Sequence, residues 1–477
     1  MKKLIATSLC AVLALGCLTA CGEKKDTAGD AAGDKGGVQA EQKVVEATND
    51  PNVKTINVWA FTDEVPKMID KYVELHPDFG FEINTTIIAT TDGAYQPALD
   101  EALKAGGADA PDIYCAEAAF ILKYAQGDAA SYAATYGELG LDVAAKIKEA
   151  DIASYSVDIG TRPSDGQVVA LGYQATGGAF IYNRTVAKET WGTDDPAKIK
   201  EKIGGGSGNW DQFWKAAEDL KAKGFGICSG DGDIWHAIEN SSAQGWIVDG
   251  KLTIDPKREE FLDISKKLKD NNYHNDTQDW TDAWYGDMKE TNDKKVLGFF
   301  GPAWLINYTM AGNSGGSKPG EGTFGDWAVC ESPVGFFWGG TWLLANKDSK
   351  VKKAVGEIIN WITLDCTKDG LQYAWANGTV DWDNDPSTAT AKDTVASGTV
   401  MKMSNGTLDF LGGQNMFDVF VPANAFANGK NLTQYDETIN SCWRDAVRQY
   451  TAGKVSREQA IADFKTNVAA KVDVEVE

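Results

Sequence analysis

Between Thr55 and Ala116 the chain alternates strand signals with helix signals. "TINVWAF" (55–61) is a β-branched and aromatic run of strand length. "PKMIDKYVELH" follows, opening on Pro66, with Met68, Ile69, Tyr72 and Val73 spaced to share one helix face, and Pro77 stops it. "FEINTTII" reads as a second strand, "YQPALDEALKAGG" as a short helix ended by glycine, and "PDIYCA" as a third strand. A strand–helix–strand–helix–strand order packs as a parallel sheet with helices on its faces, so the fold class is α/β.

The pattern continues with less regularity. "QVVALGYQATGGAFIYNR" (167–184) reads as two strands joined by a turn. "NWDQFWKAAEDLKAKG" (209–224) is a helix with a capping-box-like start at Asn209 and Gln212, an apolar stripe of Trp210, Phe213, Trp214, Ala217 and Leu220, and a stop at Gly224. "FGIC" is a strand and "PKREEFLDISKKLKD" an amphipathic helix. "KVLGFF" is a strand that runs into Gly301-Pro302, a chain break, with Trp304 two residues on. More strand follows in "WAVCESPVGFFWGGTWLLAN", then a helix in "VKKAVGEIINWITL". The end is a helix pair in which Ser456-Arg457-Glu458-Gln459 reads as a capping box. A chain of 477 residues implies roughly two to three domains. "GGGSG" (204–208) lacks the lysine and Ser/Thr of a phosphate loop and reads as a turn.

Composition narrows the function. There are 69 acidic and 46 basic residues, a net charge of −23, which repels phosphate and argues against nucleic-acid binding. Sixteen tryptophans against three histidines suit flat apolar recognition better than histidine-based metal or triad chemistry. His236 and Glu239, at i and i+3, have a spacing that a metal site could use, but with only His76 and His274 besides, His236 reads as a structural or surface histidine, and no catalytic group, metal or cofactor is expected. At the N-terminus, "MKK" precedes a 15-residue apolar stretch, shorter than the ~20 residues a membrane-spanning helix needs, so residues 1–20 read as a secretory signal. "LTACG" looks like a bacterial lipobox, which makes Cys21 the lipidated mature N-terminus on the outer face of the cytoplasmic membrane. Residues 22–54 carry no aromatic group and read as a disordered tether. The other mature cysteines, Cys115, Cys228, Cys330, Cys366 and Cys442, are odd in number and form no C-x-x-C pair. They read as small buried apolar groups rather than disulfides or a zinc site.

Several stretches, in order, resemble one family: the bacterial extracellular solute-binding proteins of carbohydrate ABC transporters, of the maltose-binding type. They are "INVWAFTDE", "APDIYCAEAAFILKYAQG", "LGYQATGGAFIYNR", "NWDQFWKAAEDLKAKG", "GFFGPAWLIN", "WGGTWLLAN…KKAVGEIINWIT" and "TAGKVSREQAIADFKTNV", together spanning about 55–470. The resemblance implies a two-lobed periplasmic-binding-protein-like fold (type II), with a ligand cleft between lobes joined by two or three hinge strands. It places one lobe at 55–173 plus 337–395 and the other at 174–336 plus 396–477. It implies a carbohydrate ligand, an oligosaccharide given so many tryptophans, handed by a monomeric lipoprotein to the permease subunits of an ABC transporter. A secreted glycoside hydrolase, or a glycan adhesin uncoupled from transport, remain the alternatives.

A neutral sugar offers C–H faces that stack on Trp or Tyr and hydroxyls that planar polar side chains orient. Trp304, past the Gly-Pro break, matches the family's stacking ring; core packing is the alternative. Asp63 and Glu64 stand just past the first strand and suit hydroxyl recognition, though helix-start charges are also favoured there. Trp59 and Phe61 end that strand as platform or core. Glu117 should stand at the tip of the third strand, and Tyr173 and Gln174 at the crossover. Asp92 is a turn residue or a ligand contact. Trp338 and Trp342 flank a glycine pair, which admits close approach, and at least one should face the cleft. Trp284 is a lesser candidate.

Overall fold

The computed structural model describes residues 40–90, 93–382 and 390–476. In chain order the main elements begin with β1 (Thr55–Ala60), α1 (Glu64–Leu75), β2 (Glu82–Ile87), α2 (Tyr95–Ala105) and β3 (Ile113–Glu117). After a run of short helices come β4 (Ala170–Gly172), β5 (Ala179–Asn183), α3 (Asp211–Ala222), β6 (Gly226–Cys228), α4 (Gly232–Ser241) and α5 (Pro256–Asp270). Then follow β7 (Val296–Gly301), β8 (Trp327–Cys330), β9 (Thr341–Ala345), α6 (Lys352–Thr363), α7 (Asp436–Thr451) and α8 (Arg457–Ala469).

Two separate sheets organise the chain. The first has the order β2-β1-β3-β9-β4 and the second β8-β5-β7-β6. β1 runs parallel to β2 and β3, while β9 inserts antiparallel between β3 and β4. In the second sheet β7 is parallel to β6 and antiparallel to β5. All six residues of β7 are buried, as its unbroken apolar and glycine sequence requires of a strand covered on both faces. Ile56, Val58 and Leu343 of the first sheet pack with Ile358, Ile359 and Ile362 of α6. Around the second sheet Phe180, Phe213, Phe300, Trp246 and Trp443 form a separate aromatic core. Burying each such ring stabilises the fold by roughly 1.5–3 kcal/mol relative to exposure.

The chain passes between the sheets along neighbouring paths. Residues 167–184 do not form a hairpin: β4 belongs to the first sheet and β5 to the second. Apolar runs on both sides of a glycine pair look alike whether the chain turns back or crosses over. The return path lies between β8 and β9, and the two crossings touch where Gly177 bridges Phe337. A third segment joins them, with Ala396 N–H donating to the Tyr173 carbonyl (2.8 Å). Beyond it, Ser397 Oγ–H donates to Ala150 O (2.7 Å) and Lys402 pairs with Asp151 (2.8 Å), so Ser397–Lys402 docks on the first lobe.

Local starts differ from the sequence reading in two places. α1 begins at Glu64 rather than Pro66. α3 begins at Asp211, and Asn209 accepts from the Asp211 N–H (3.0 Å) instead of closing a capping box. The segment expected to be tether up to residue 54 is in part a strap on the first lobe. Gln42 Nε2–H donates to Gly166 O (2.8 Å), and Gln42 Oε1 accepts from Val168 N–H (3.0 Å). Lys43 N–H donates to Gln167 Oε1 (3.0 Å), and Asn49 Oδ1 accepts from Ala354 N–H (3.0 Å). Polar side chains hold this strap, so apolar content gave no sign of it. Cys115, Cys228, Cys330 and Cys442 are buried free thiols, and Cys366 is half-buried. Cys21 and Asp92 lie outside the described residues.

Candidate ligand-binding cleft

Strand ends and glycines bring the aromatic groups together. Gly339 (φ 73°) and Gly340 (φ 116°) adopt backbone that side-chain-bearing residues avoid. A Cβ on Gly339 would lie 3.4 Å from Trp304 Nε1 and 3.6 Å from Glu117 Oε1, so three segments meet at this residue. Past Gly301-Pro302 the chain makes a π-helical turn, Leu305–Met310. Leu305, Ile306 and Met310 face the core, while Trp304 is half-buried and Tyr308 is exposed. The Trp304 indole N–H donates to the Trp338 carbonyl (2.9 Å).

Trp304 sits in a cluster of three indoles. Its ring lies nearly parallel to Trp280 (6.1 Å between centroids, 5°) and edge-on to Trp338 (4.9 Å, 66°). Trp338 in turn stacks on His236 (4.4 Å, 21°). Trp280 is 47% exposed and has φ 65°. A bulky residue in the left-handed region costs about 1–3 kcal/mol, and such strain gathers at ligand sites.

Beside this cluster is a cavity of about 260 Å³. Glu117 and Leu122 line it from the first lobe, His236 and Glu239 from α4, Trp338 from the return crossing, and Glu437 from α7. Burial pushes Glu117 up to about 7, against the pull of its hydrogen bond from Ala119 N–H (2.7 Å) and with Glu437 adding to the rise. Asp436, also on the wall, is pushed up to about 7 by burial. Its Oδ1 accepts from Thr433 N–H (3.0 Å) and Thr433 Oγ1–H (2.6 Å), and its Oδ2 has no partner. Burial acts on Glu239 too, but His236 (3.6 Å), Arg258 and an Asn440 Nδ2–H donor (2.5 Å) together hold it below the usual range.

A second group of carboxyls stands at the hinge. Tyr173 O–H donates to Glu64 Oε1. Burial, then the neighbouring Asp393 and Asp63, push Glu64 to about 7. Asp393, on the third hinge segment, is also pushed to about 7 by burial, against hydrogen bonds from Thr394 and Gln174.

The candidates therefore divide. Trp304, Trp338 and Glu117 meet at one place, and Glu64, Tyr173 and Gln174 at another. Asp63 is exposed and paired with Lys67 (2.6 Å), the helix-start arrangement. Phe61 packs edge-on against Tyr95 and Phe120 (5.8 Å each), and Trp59 is half-buried against the same core. Trp342 and Trp284 are core rings rather than cleft surface: Trp342 donates its indole N–H to Ser156 O (3.2 Å) and Trp284 to Asp233 Oδ1 (3.0 Å). Each is closed off by packing and satisfied from inside, which leaves neither a face nor a donor for a ligand. Sequence reading missed Trp280, which has no periodic neighbours to flag it, and Asp393, Asp436 and Glu437. It read His236 as a structural or surface histidine; His236 and Glu239 stand on the cavity wall. Among the described residues no cluster of three metal-ligating side chains occurs, and no helix is long and apolar enough to cross a membrane.

Residues 67–380 match the family model for bacterial extracellular solute-binding proteins. The chain belongs to that family. No curated protein matches its sequence. Among solved structures, an extracellular solute-binding protein of family 1 aligns with a TM-score of 0.69 at 16% identity, over 87% of this chain and 99% of that one. The galacto-N-biose/lacto-N-biose I-binding protein of a Bifidobacterium longum ABC transporter, in complex with lacto-N-biose, aligns with a TM-score of 0.61 at 17% identity, over 90% and 100%. The cyclic α-maltosyl-1,6-maltose-binding protein of Arthrobacter globiformis gives 0.57 at 15%, over 88% and 99%. At such identities the likeness is one of fold. This solute-binding protein shares their two-lobed architecture, with the cavity between the lobes.

Proposed function

We propose that this solute-binding protein is a cell-surface lipoprotein, anchored through Cys21, that takes a carbohydrate into the interlobe cleft and delivers it to the permease of an ABC transporter. The observation that carries this reading is the cluster of Trp280, Trp304 and Trp338 at the mouth of a cleft edged with carboxyls. Indole faces stack on sugar C–H faces, and carboxyls orient hydroxyls. Three rings suit an oligosaccharide, as do the saccharides named for two of the structures that share the fold. Trp304 is the primary platform, Trp338 its partner, and Glu117 the nearest hydroxyl acceptor; Glu64 and Gln174 serve the hinge side, with the fully buried Tyr173 holding Glu64 in place.

The lobes run over 55–173 plus 337–395 and 174–336 plus 396–477, and the docking of Ser397–Lys402 on the first favours moving the last boundary just past Lys402. Closure about the three crossing segments brings the second lobe onto a ligand held by the first, and the closed monomer is what a permease engages.

A thermal-shift screen against a glycan panel tests the reading, because a ligand that binds only the folded state raises the melting temperature. At least one oligosaccharide raises it and is recovered intact. The competing reading is hydrolysis, favoured by carboxyls such as Glu117 that remain partly protonated near neutrality. Release of shorter saccharides on incubation would overturn the transport reading.

A further inference from the structure

The walls of the cleft carry more carboxyl groups than the protein itself neutralises. Four face or line the cavity: Glu117 from the first lobe, and Glu239, Asp436 and Glu437 from the second. The cations around them are His236, Arg444 and Arg448 on the wall and Arg258 behind it. Their allegiances are local. His236 stands 3.6 Å from Glu239, Arg444 donates to Asp279 (3.0 Å), and Arg448 pairs with Asp445. Arg258 is buried over the Trp246 ring (4.4 Å), and the nearest charges to it are Glu239, Asp436 and Asp255.

Glu117 and Glu437 remain. Neither has a cation in ion-pair contact among the described residues, and Glu437 has no hydrogen-bond partner there either. His236 and Arg444 act on Glu437 only through space, while Glu239 opposes them. Asp436, 6% exposed, keeps a buried oxygen with no partner, and the nearby Arg258 acts on it only through space. The two uncompensated carboxyls sit on opposite lobes, Glu437 exposed and Glu117 half-buried, so closure over a neutral ligand would take Glu437 out of water beside a Glu117 kept largely protonated.

We propose that the ligand carries a protonated amine, making it an amino sugar or an oligosaccharide containing one, whose ammonium group lies between Glu117 and Glu437. An ammonium supplies three donors and one positive charge. A hydroxyl or an N-acetyl group supplies donors but no charge, so the carboxyls are then relieved only by keeping their protons. The net charge of −23 attracts cations from a distance. The raised carboxyls give a signature: a cation entering the cleft at neutral pH displaces protons from Glu117 and its neighbours, whereas a neutral sugar does not.

This inference rests on the carbohydrate reading of the same cleft and is separable from it. The full chain is titrated calorimetrically with glucosamine oligosaccharides of one to four units and with their N-acetylated counterparts, in two buffers of different ionisation enthalpy. The expected result is at least tenfold tighter binding of an amine form, buffer-dependent heats that report proton release, and weakening with salt. Glu437→Gln, on a surface helix, should reduce the preference to within about twofold, and Glu117→Gln should do the same. Equal or tighter binding of the N-acetylated or other neutral oligosaccharides overturns the inference and leaves the carbohydrate reading standing. Failure of every saccharide in the panel to bind overturns both.

Discussion

Two groups of tryptophans in this protein have opposite surroundings. Trp246 and Trp443 are fully buried in the second lobe, 5.8 Å apart and both packed on Phe464. Trp280, Trp304 and Trp338 meet at similar distances, yet Trp280 is nearly half exposed and Trp304 and Trp338 are only part-buried. The aromatic contacts are alike, so contact alone does not separate packing from binding. What separates them is the backbone. The core rings sit on strands, helices or an ordered loop between them, whereas the open ones follow a Gly-Pro break, precede a glycine pair, or occupy a left-handed residue.

The comparison breaks most sharply at Trp246. Trp246→Ala should cost about 3–5 kcal/mol of stability in a denaturant titration, because a large cavity opens beneath Arg258 and Trp443. Trp304→Ala should leave stability within about 1 kcal/mol but weaken saccharide binding tenfold or more, some 1.4 kcal/mol or beyond, by calorimetry. Unchanged affinity would remove the ring from the site. Trp280→Gly should relieve the left-handed strain and stabilise the fold by about 1 kcal/mol, measured by thermal unfolding, while saccharide affinity falls a few-fold.

The hinge carboxyls give a pH test of smaller size. Glu64 has a folded pKa near 7, above the unfolded value of about 4.5. Between these values the folded state binds more protons, so the contribution of Glu64 to stability falls as pH rises through this window. Glu64→Gln cannot ionise. The variant should match the parent below pH 4.5, gain on it up to about pH 7, and hold a constant advantage above. A variant whose relative melting temperature is flat across that range would show that Glu64 titrates as an ordinary surface acid.

Sequence legibility followed the same division. The strand–helix alternation from Thr55 onward was readable because period and punctuation are local properties, and Trp304 stood out because Gly301-Pro302 marks a strand end. At 167–184 the residues alone gave only two strands joined by a turn, since neither half encodes which sheet it joins; the family resemblance was what placed a crossover there. Glu437 lies 320 positions from Glu117 along the chain, and nothing in "YDETINS" signals that its first turn faces a strand tip of the other lobe. Which of Trp338 and Trp342 would face the cleft was open for a related reason: both sides of a glycine pair have equal claim to it until the strand pairing of β9 turns Trp342 inward.

The polar strap at Gln42, Lys43 and Asn49 has a mechanical consequence. Among the described residues its hydrogen bonds run to the first lobe. Under the proposed anchor at Cys21, that lobe would be the jaw tied to the tether, and closure would be carried by the jaw bearing Glu437.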